Sequence, residues 1–101
     1  MELRWKVLVI DDEPAARRII VRMMEEYKDF LQLAGEADNG VKAIQMINDS
    51  KPDLLFLDIH LQDMTGFEVL QNIRYQPSII FTTAYDQYAI KAFEEMAIDY
   101  Y

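Results

Sequence analysis

Cysteine is absent from this chain of 101 residues, so disulfides, thiolate metal sites and cysteine nucleophiles are excluded. Glycine and proline occur only three times each, and no linker, repeat or low-complexity stretch interrupts the sequence. No apolar run approaches the roughly 18–20 residues that a membrane span requires, and the first residues do not resemble a signal peptide. We therefore expect one soluble, cytoplasmic domain that does not associate with membranes.

Basic residues are also in short supply. Eighteen acidic residues stand against ten basic ones, which gives a net charge of −8. An acidic surface repels the phosphates of nucleic acids, so we expect this segment to make no direct contact with nucleic acid. If the whole protein regulates genes, a different segment must bind the DNA.

Apolar residues make up 51% of the chain and fall into two alternating patterns. Short continuous runs are typical of strands buried on both faces, whereas repeats of three and four residues are typical of helices. Strands are predicted at 6–10, 31–37, 53–58 and 78–83, with the start of a fifth at 98–101, and helices at 14–27, 41–50, 65–73 and 85–96. This alternation predicts a doubly wound α/β domain with a parallel sheet covered on both faces.

The first helix has the clearest pattern. Pro14 suits its first turn, and Asp11 or Asp12 is a possible N-cap. One apolar stripe is predicted to face the core, made of Ala16, Ile19, Ile20, Met23, Met24 and Tyr27.

Aspartates follow two of the predicted strands: Asp11 and Asp12 after the first, and Asp58 after the third. In open parallel sheets, ligands bind beyond the carboxyl ends of the strands, where the strand order reverses. If strands 1 and 3 are neighbours, three carboxylates meet there, and their repulsion favours a hard divalent cation such as Mg²⁺. Any one of these aspartates, taken alone, is as readily explained as a helix cap or turn former. Their convergence, with Thr83 ending the next strand, favours a site.

Four segments occur in order along the chain: VLVIDDE at 7–13, PDLLFLDIHL at 52–61, GFE at 66–68 and FTTA at 81–84. Together they resemble the response-regulator receiver family of two-component systems. The resemblance covers essentially residues 1–101 and implies a flavodoxin-like sheet with the strand order 2-1-3-4-5. Residues 81–93, with AYDQYA at 84–89, are similar to receivers joined to LytTR-type DNA-binding domains.

The resemblance also implies roles for individual residues. Asp58 would be the phosphoacceptor, and Thr83 would hydrogen-bond the bound phosphoryl group. Asp11, Asp12, Asp58 and the backbone carbonyl of His60 would bind Mg²⁺. Thr83 and Tyr100 would form the switch that reports phosphorylation. The implied partner is a sensor histidine kinase, and the implied output is transcriptional regulation. The only chemistry expected is phosphorylation of the chain itself and its reversal.

Two features depart from the family pattern. Family members carry a lysine three residues after the switch aromatic, and this sequence stops one residue after Tyr100. The fifth helix is missing too, so we expect a domain truncated at strand 5. The sheet face left uncovered would favour homodimerisation.

Two other functions remain open. The chain could be an interaction module that binds partners without phosphorylation, which the missing lysine favours and the intact aspartates disfavour. It could also be a Mg²⁺-dependent phosphatase with an aspartyl-phosphate intermediate. Such enzymes often carry an acid two residues after the nucleophile, where this chain has His60.

Overall fold

The computed structural model describes residues 4–82, which form a four-stranded parallel sheet with three helices. The elements are β1 (Trp5–Ile10), α1 (Pro14–Glu25), β2 (Leu31–Ala37), α2 (Gly40–Ser50), β3 (Leu54–Leu57), α3 (Gly66–Gln71) and β4 (Ser78–Phe81). Within these residues no helix is long and apolar enough to cross a membrane. The predicted fourth helix and fifth strand lie outside the described residues, as do Thr83 and Tyr100.

The sheet has the strand order β2-β1-β3-β4, which confirms the predicted doubly wound topology for its first four strands. β1 pairs in parallel with β2 on one side and with β3 on the other. Every residue of β3 is buried, as expected for a central strand without polar alternation. Because β1 and β3 are neighbours, their carboxyl ends lie at the same edge of the sheet.

Two apolar layers cover the sheet because side chains alternate along β1. Leu8 and Ile10 belong to the larger cluster, which includes buried residues of α2 and α3. Val7 and Val9 belong to the smaller cluster, which packs against α1 through Met24. The two faces of one strand therefore hold helices on both sides of the sheet.

The prediction for the buried face of α1 was half wrong. Met24 is buried, and Ala16 and Ile20 are partly buried, but the other three members of the predicted stripe are exposed. Their exposed fractions are 70% for Ile19, 41% for Met23 and 50% for Tyr27. Residues four apart on a helix lie almost above one another, so the six residues form two adjacent rows. Only one row meets the sheet.

The start of α1 also differs from the prediction. Its N-cap is Glu13, whose side chain makes no capping hydrogen bond, and not Asp11 or Asp12. The side chain of Asp11 instead accepts a hydrogen bond from the Glu13 N–H at 2.9 Å. This bond turns the chain from β1 into the helix.

Candidate functional site

Three carboxylates meet at the carboxyl edge of the sheet. Ile10 and Leu57 are paired residues of β1 and β3, and the Asp58 N–H donates to the Ile10 carbonyl at 2.9 Å. This register brings Asp58 beside Asp11 and Asp12 in the acidic cluster, the name we give to these three residues. One carboxylate oxygen from each lies within 4.8 Å of the other two.

The three members of the acidic cluster differ in burial. Asp11 is 7% exposed, whereas Asp12 and Asp58 are half-buried. Loss of hydration raises the pKa of Asp11 above its usual value, against a backbone hydrogen bond from Glu13 that lowers it. The charges of Asp58 and Asp12 raise this pKa further. The cluster therefore concentrates negative charge at this edge of the sheet.

The donor set and the spacing fit a hydrated Mg²⁺ ion. All three donors are carboxylate oxygens, which are the ligands that hard divalent cations prefer. An octahedral ion with ligands at about 2.1 Å spans at most about 4.2 Å between opposite oxygens. A spacing of up to 4.8 Å therefore suits an ion that binds some of the carboxylates directly and the others through water.

The loop after Asp58 is a tight turn fixed by backbone hydrogen bonds. The Leu61 N–H donates to the Met64 carbonyl at 3.0 Å, and the Gly66 N–H donates to the Ile59 carbonyl at 2.7 Å. Within this turn His60 lies opposite Thr65 in an antiparallel bridge, and the His60 N–H donates to Asp58 Oδ1 at 3.3 Å. The loop thus holds the His60 backbone next to the acidic cluster.

A glycine allows α3 to begin against the site. Gly66 is the first residue of α3, after a capping box formed by Thr65 and Glu68, which confirms the predicted start of this helix. A Cβ atom at Gly66 would lie 2.6 Å from the backbone oxygen of Asp58. The close approach of α3 to Asp58 therefore requires a residue without a side chain at this position.

Asp63 fastens the tip of the same loop to α2. Its two carboxylate oxygens accept hydrogen bonds from the N–H groups of Gly40, at 2.7 Å, and Val41, at 3.0 Å. These bonds hold the pKa of Asp63 below its usual value. The role of this residue was not predicted from the sequence, because the contact spans more than twenty positions and has no local signature.

The contacts of Arg17, on α1, were likewise not predicted from the sequence. Its Nη1 donates to the backbone carbonyl of Asp11 at 2.6 Å, and its Nε lies 3.2 Å from Glu36 Oε1 on β2. The side chain is only 17% exposed. An arginine six residues after the first aspartate is a visible signal, but nothing in the sequence shows where its side chain goes.

Comparisons with known proteins agree with this architecture. Residues 7–101 match the family described as the response regulator receiver domain. The chain is 45% identical over 97 residues to the sensory transduction protein LytT of Enterococcus faecalis, covering 93% of the chain and 40% of that protein. It is 44% identical over 97 residues to the transcriptional regulatory protein BtsR of Salmonella typhi, covering 94% of the chain and 40% of that protein. The chain thus spans about 40% of the length of these curated relatives.

Among solved structures, the fold is similar to the response regulatory domain of mrkE from Klebsiella pneumoniae. The TM-score is 0.78 at 30% sequence identity, with 94% of this chain and 80% of that chain covered. The REC domain of AraT from Geobacillus stearothermophilus gives a TM-score of 0.80 at 24% identity, covering 96% and 78% of the two chains. The identity to AraT supports the fold alone.

Proposed function

The chain belongs to the response regulator receiver family, and from that premise we propose that Asp58 accepts a phosphoryl group beside Mg²⁺ held by the acidic cluster. The observation that carries the proposal is the meeting of three carboxylates, from two strand ends, within 4.8 Å of one another. Like charges at this spacing repel, so the arrangement suits a site that receives a cation.

Asp58 is the member of the acidic cluster best suited to be the nucleophile. It is more exposed than Asp11, and its backbone is fixed on both sides, by the Ile10 carbonyl and by the approach of Gly66. In the reaction, a carboxylate oxygen of Asp58 forms a bond to phosphorus while the bond from phosphorus to the donor imidazole nitrogen breaks. The electron pair stays on that nitrogen, which takes up a proton. Catalysis of such a loose transfer depends mainly on in-line positioning and on charge neutralisation.

Asp11 and Asp12 would supply carboxylate ligands to the ion, and the His60 backbone carbonyl would be a further ligand. When bound, Mg²⁺ neutralises charge between the carboxylates and the phosphoryl oxygens. The roles of Thr83 as the hydroxyl that hydrogen-bonds the phosphoryl group and of Tyr100 as the switch aromatic rest on the family resemblance.

The wider function follows from the relatives. Residues 1–101 would be the receiver domain of a cytoplasmic regulator phosphorylated by a sensor histidine kinase. Because the relatives named above are a sensory transduction protein and a transcriptional regulator, we propose that a DNA-binding segment of the LytTR type controls transcription. A homodimer formed through the sheet face left uncovered is part of the same proposal.

Phosphorylation of the full-length protein by acetyl phosphate tests the proposal. We expect a Mg²⁺-dependent phosphoryl adduct, detected by intact mass and mapped to Asp58 by peptide analysis. Asp58→Asn should remove the adduct, whereas Asp49→Asn, an exposed position on α2, should leave it unchanged. A full-length protein that forms no adduct with acetyl phosphate or with its kinase would instead favour the interaction module that works without phosphorylation.

A further inference from the structure

Arg17 ties three elements together beside the acidic cluster. It lies on α1, its Nη1 reaches back to the backbone carbonyl of Asp11 at 2.6 Å, and its Nε meets Glu36 of β2 at 3.2 Å. The pair with Glu36 is partly exposed, at 42% for the glutamate side chain, so solvent screens it. The charge-assisted hydrogen bond to the Asp11 carbonyl is short and partly buried, which makes it the stronger of the two contacts.

The contacts of Asp11 show what Arg17 does there. The Asp11 N–H donates to the Ala37 carbonyl at 3.1 Å, its carbonyl accepts from Arg17, and its Oδ1 accepts from the Glu13 N–H. Both peptide groups around this residue are therefore held in place. Within residues 4–82, Oδ2 of Asp11 accepts no hydrogen bond, which leaves an oxygen for a cation.

We propose that Arg17 is a positioning residue for the Mg²⁺ site, holding the Asp11 backbone so that its carboxylate stays within reach of Asp12 and Asp58. This inference rests on the proposed function, since it assumes that the acidic cluster binds Mg²⁺. Arg17 does not touch the reacting atoms and acts only through Asp11. Residues that orient metal ligands in this way typically change metal affinity by about 10–100-fold when replaced.

The direction in which Mg²⁺ affinity changes distinguishes a positioning role of Arg17 from an effect of its charge alone. A guanidinium near three carboxylates repels a cation, so removing its charge alone should strengthen Mg²⁺ binding. Loss of positioning should weaken binding. Arg18 is the matched control because it is the next residue on α1, carries the same charge and is exposed.

The test is isothermal titration of Mg²⁺ into the full-length protein and its Arg17→Gln, Arg17→Lys and Arg18→Gln variants. We expect Arg17→Gln to weaken binding by about tenfold, Arg17→Lys to fall between it and the wild type, and Arg18→Gln to bind as tightly as the wild type or slightly more tightly. Circular dichroism in the same buffer ensures that only folded protein is compared. If Arg17→Gln does not fold, Arg17→Lys is compared with Arg18→Lys, and only the former should weaken binding.

Phosphorylation kinetics provide a second measurement that a purely structural role would not reproduce. With acetyl phosphate, Arg17→Gln should raise the Mg²⁺ concentration needed for half-maximal rate, with the rate at saturating Mg²⁺ close to that of wild type. Arg17→Gln binding Mg²⁺ as tightly as Arg18→Gln would overturn the positioning role while leaving the proposed function intact. A wild-type protein that binds no Mg²⁺ would overturn both.

Discussion

Asp11→Asn should make the metal-free protein more stable, although it alters a buried residue of the proposed site. The amide keeps an oxygen that can accept the hydrogen bond from the Glu13 N–H, so the turn into α1 is preserved. What it removes is a buried negative charge that faces the charges of Asp12 and Asp58. In a site that binds a cation, this repulsion between the carboxylates persists until the cation is bound.

The size of the effect follows from the spacing. At 4.8 Å, the largest separation in the acidic cluster, two unit charges repel by about 0.9 kcal/mol in a water-like dielectric and by about 3.5 kcal/mol at an effective dielectric of 20. Asp11 interacts with two such partners, both half-buried and therefore well screened. We expect the free energy of unfolding of Asp11→Asn to exceed that of the wild type by about 2 kcal/mol at neutral pH and low salt.

Chemical denaturation in EDTA, followed by the fluorescence of Trp5, measures this difference in the free energy of unfolding.

The pH dependence of the free energy of unfolding gives an independent check. Because the pKa of Asp11 is raised in the folded protein, the fold favours the neutral form of this side chain. Its contribution to the free energy of unfolding is therefore fully present below about pH 3.8 and is lost as the pH rises through the raised pKa. The gap between variant and wild type should therefore close on acidification.

Mg²⁺ should reverse the order of stability. At a hundredfold excess over Kd it adds about 2.7 kcal/mol to the wild type and much less to Asp11→Asn. Asp29→Asn, an exposed change in the connection between α1 and β2, controls for net charge and should leave both values unchanged. A metal-free Asp11→Asn protein that is less stable than the wild type would refute the electrostatic reasoning.

Three further changes test contacts around the site and at the opposite edge. Gly66→Ala should destabilise the fold by about 1–3 kcal/mol in denaturant titrations, because its Cβ would press on the Asp58 backbone. Gly35→Ala should cost less, because its Cβ would meet only the ends of the Met46 and Leu8 side chains among the nearest atoms and no backbone. Tyr75→Phe should lower the free energy of unfolding by about 1 kcal/mol, because it removes the hydrogen bond to the Pro52 carbonyl. Burial raises the pKa of Tyr75 to about 12, so the tyrosine stabilises the fold below pH 10 and does so progressively less as the pH rises to about 12. Tyr75→Phe should lack this loss of stability at high pH. Asp63→Ala should speed hydrogen exchange at the Gly40 and Val41 amides, because it removes the carboxylate that accepts their hydrogen bonds. The wild type should lose the same protection only when the pH falls through the lowered pKa of Asp63, below 3.8. Unchanged exchange in the variant would mean that this carboxylate does not hold α2.

The sequence predicts the centre of the sheet well because β3 and most of β1 are buried on both faces. The run at 54–57 has no polar alternation, which only a central strand allows, and the observed β3 is fully buried. Chain order then limits the topology, since right-handed crossovers between parallel strands leave few arrangements. The family resemblance implied that the first and third strands are neighbours, and the observed order β2-β1-β3-β4 agrees. The convergence of Asp11, Asp12 and Asp58 follows from that adjacency.

The packing of α1 was not predictable in the same way. Apolar periodicity identifies the side of a helix that avoids polar residues, but the sheet contacts only part of that side. Ile20 and Met24 meet the sheet, while Ile19 and Met23 belong to the neighbouring row and remain exposed. Both rows are apolar in the sequence, and only the way the helix crosses the sheet distinguishes them.

Topology brings the aspartates to one edge, but it does not set the distances on which cation binding depends. Parallel strands fix where Asp11 and Asp58 leave the sheet, to within about one strand spacing of 4.8 Å. The finer placement comes from side chains that are not themselves cation ligands: Arg17 on the Asp11 carbonyl, and Asp63 on the loop that follows Asp58. Each acts across elements and leaves no local pattern in the sequence. Receiver domains with the same aspartates should therefore differ in Mg²⁺ affinity according to these supporting residues, and exchanging Arg17 should shift that affinity without any change in the acidic cluster.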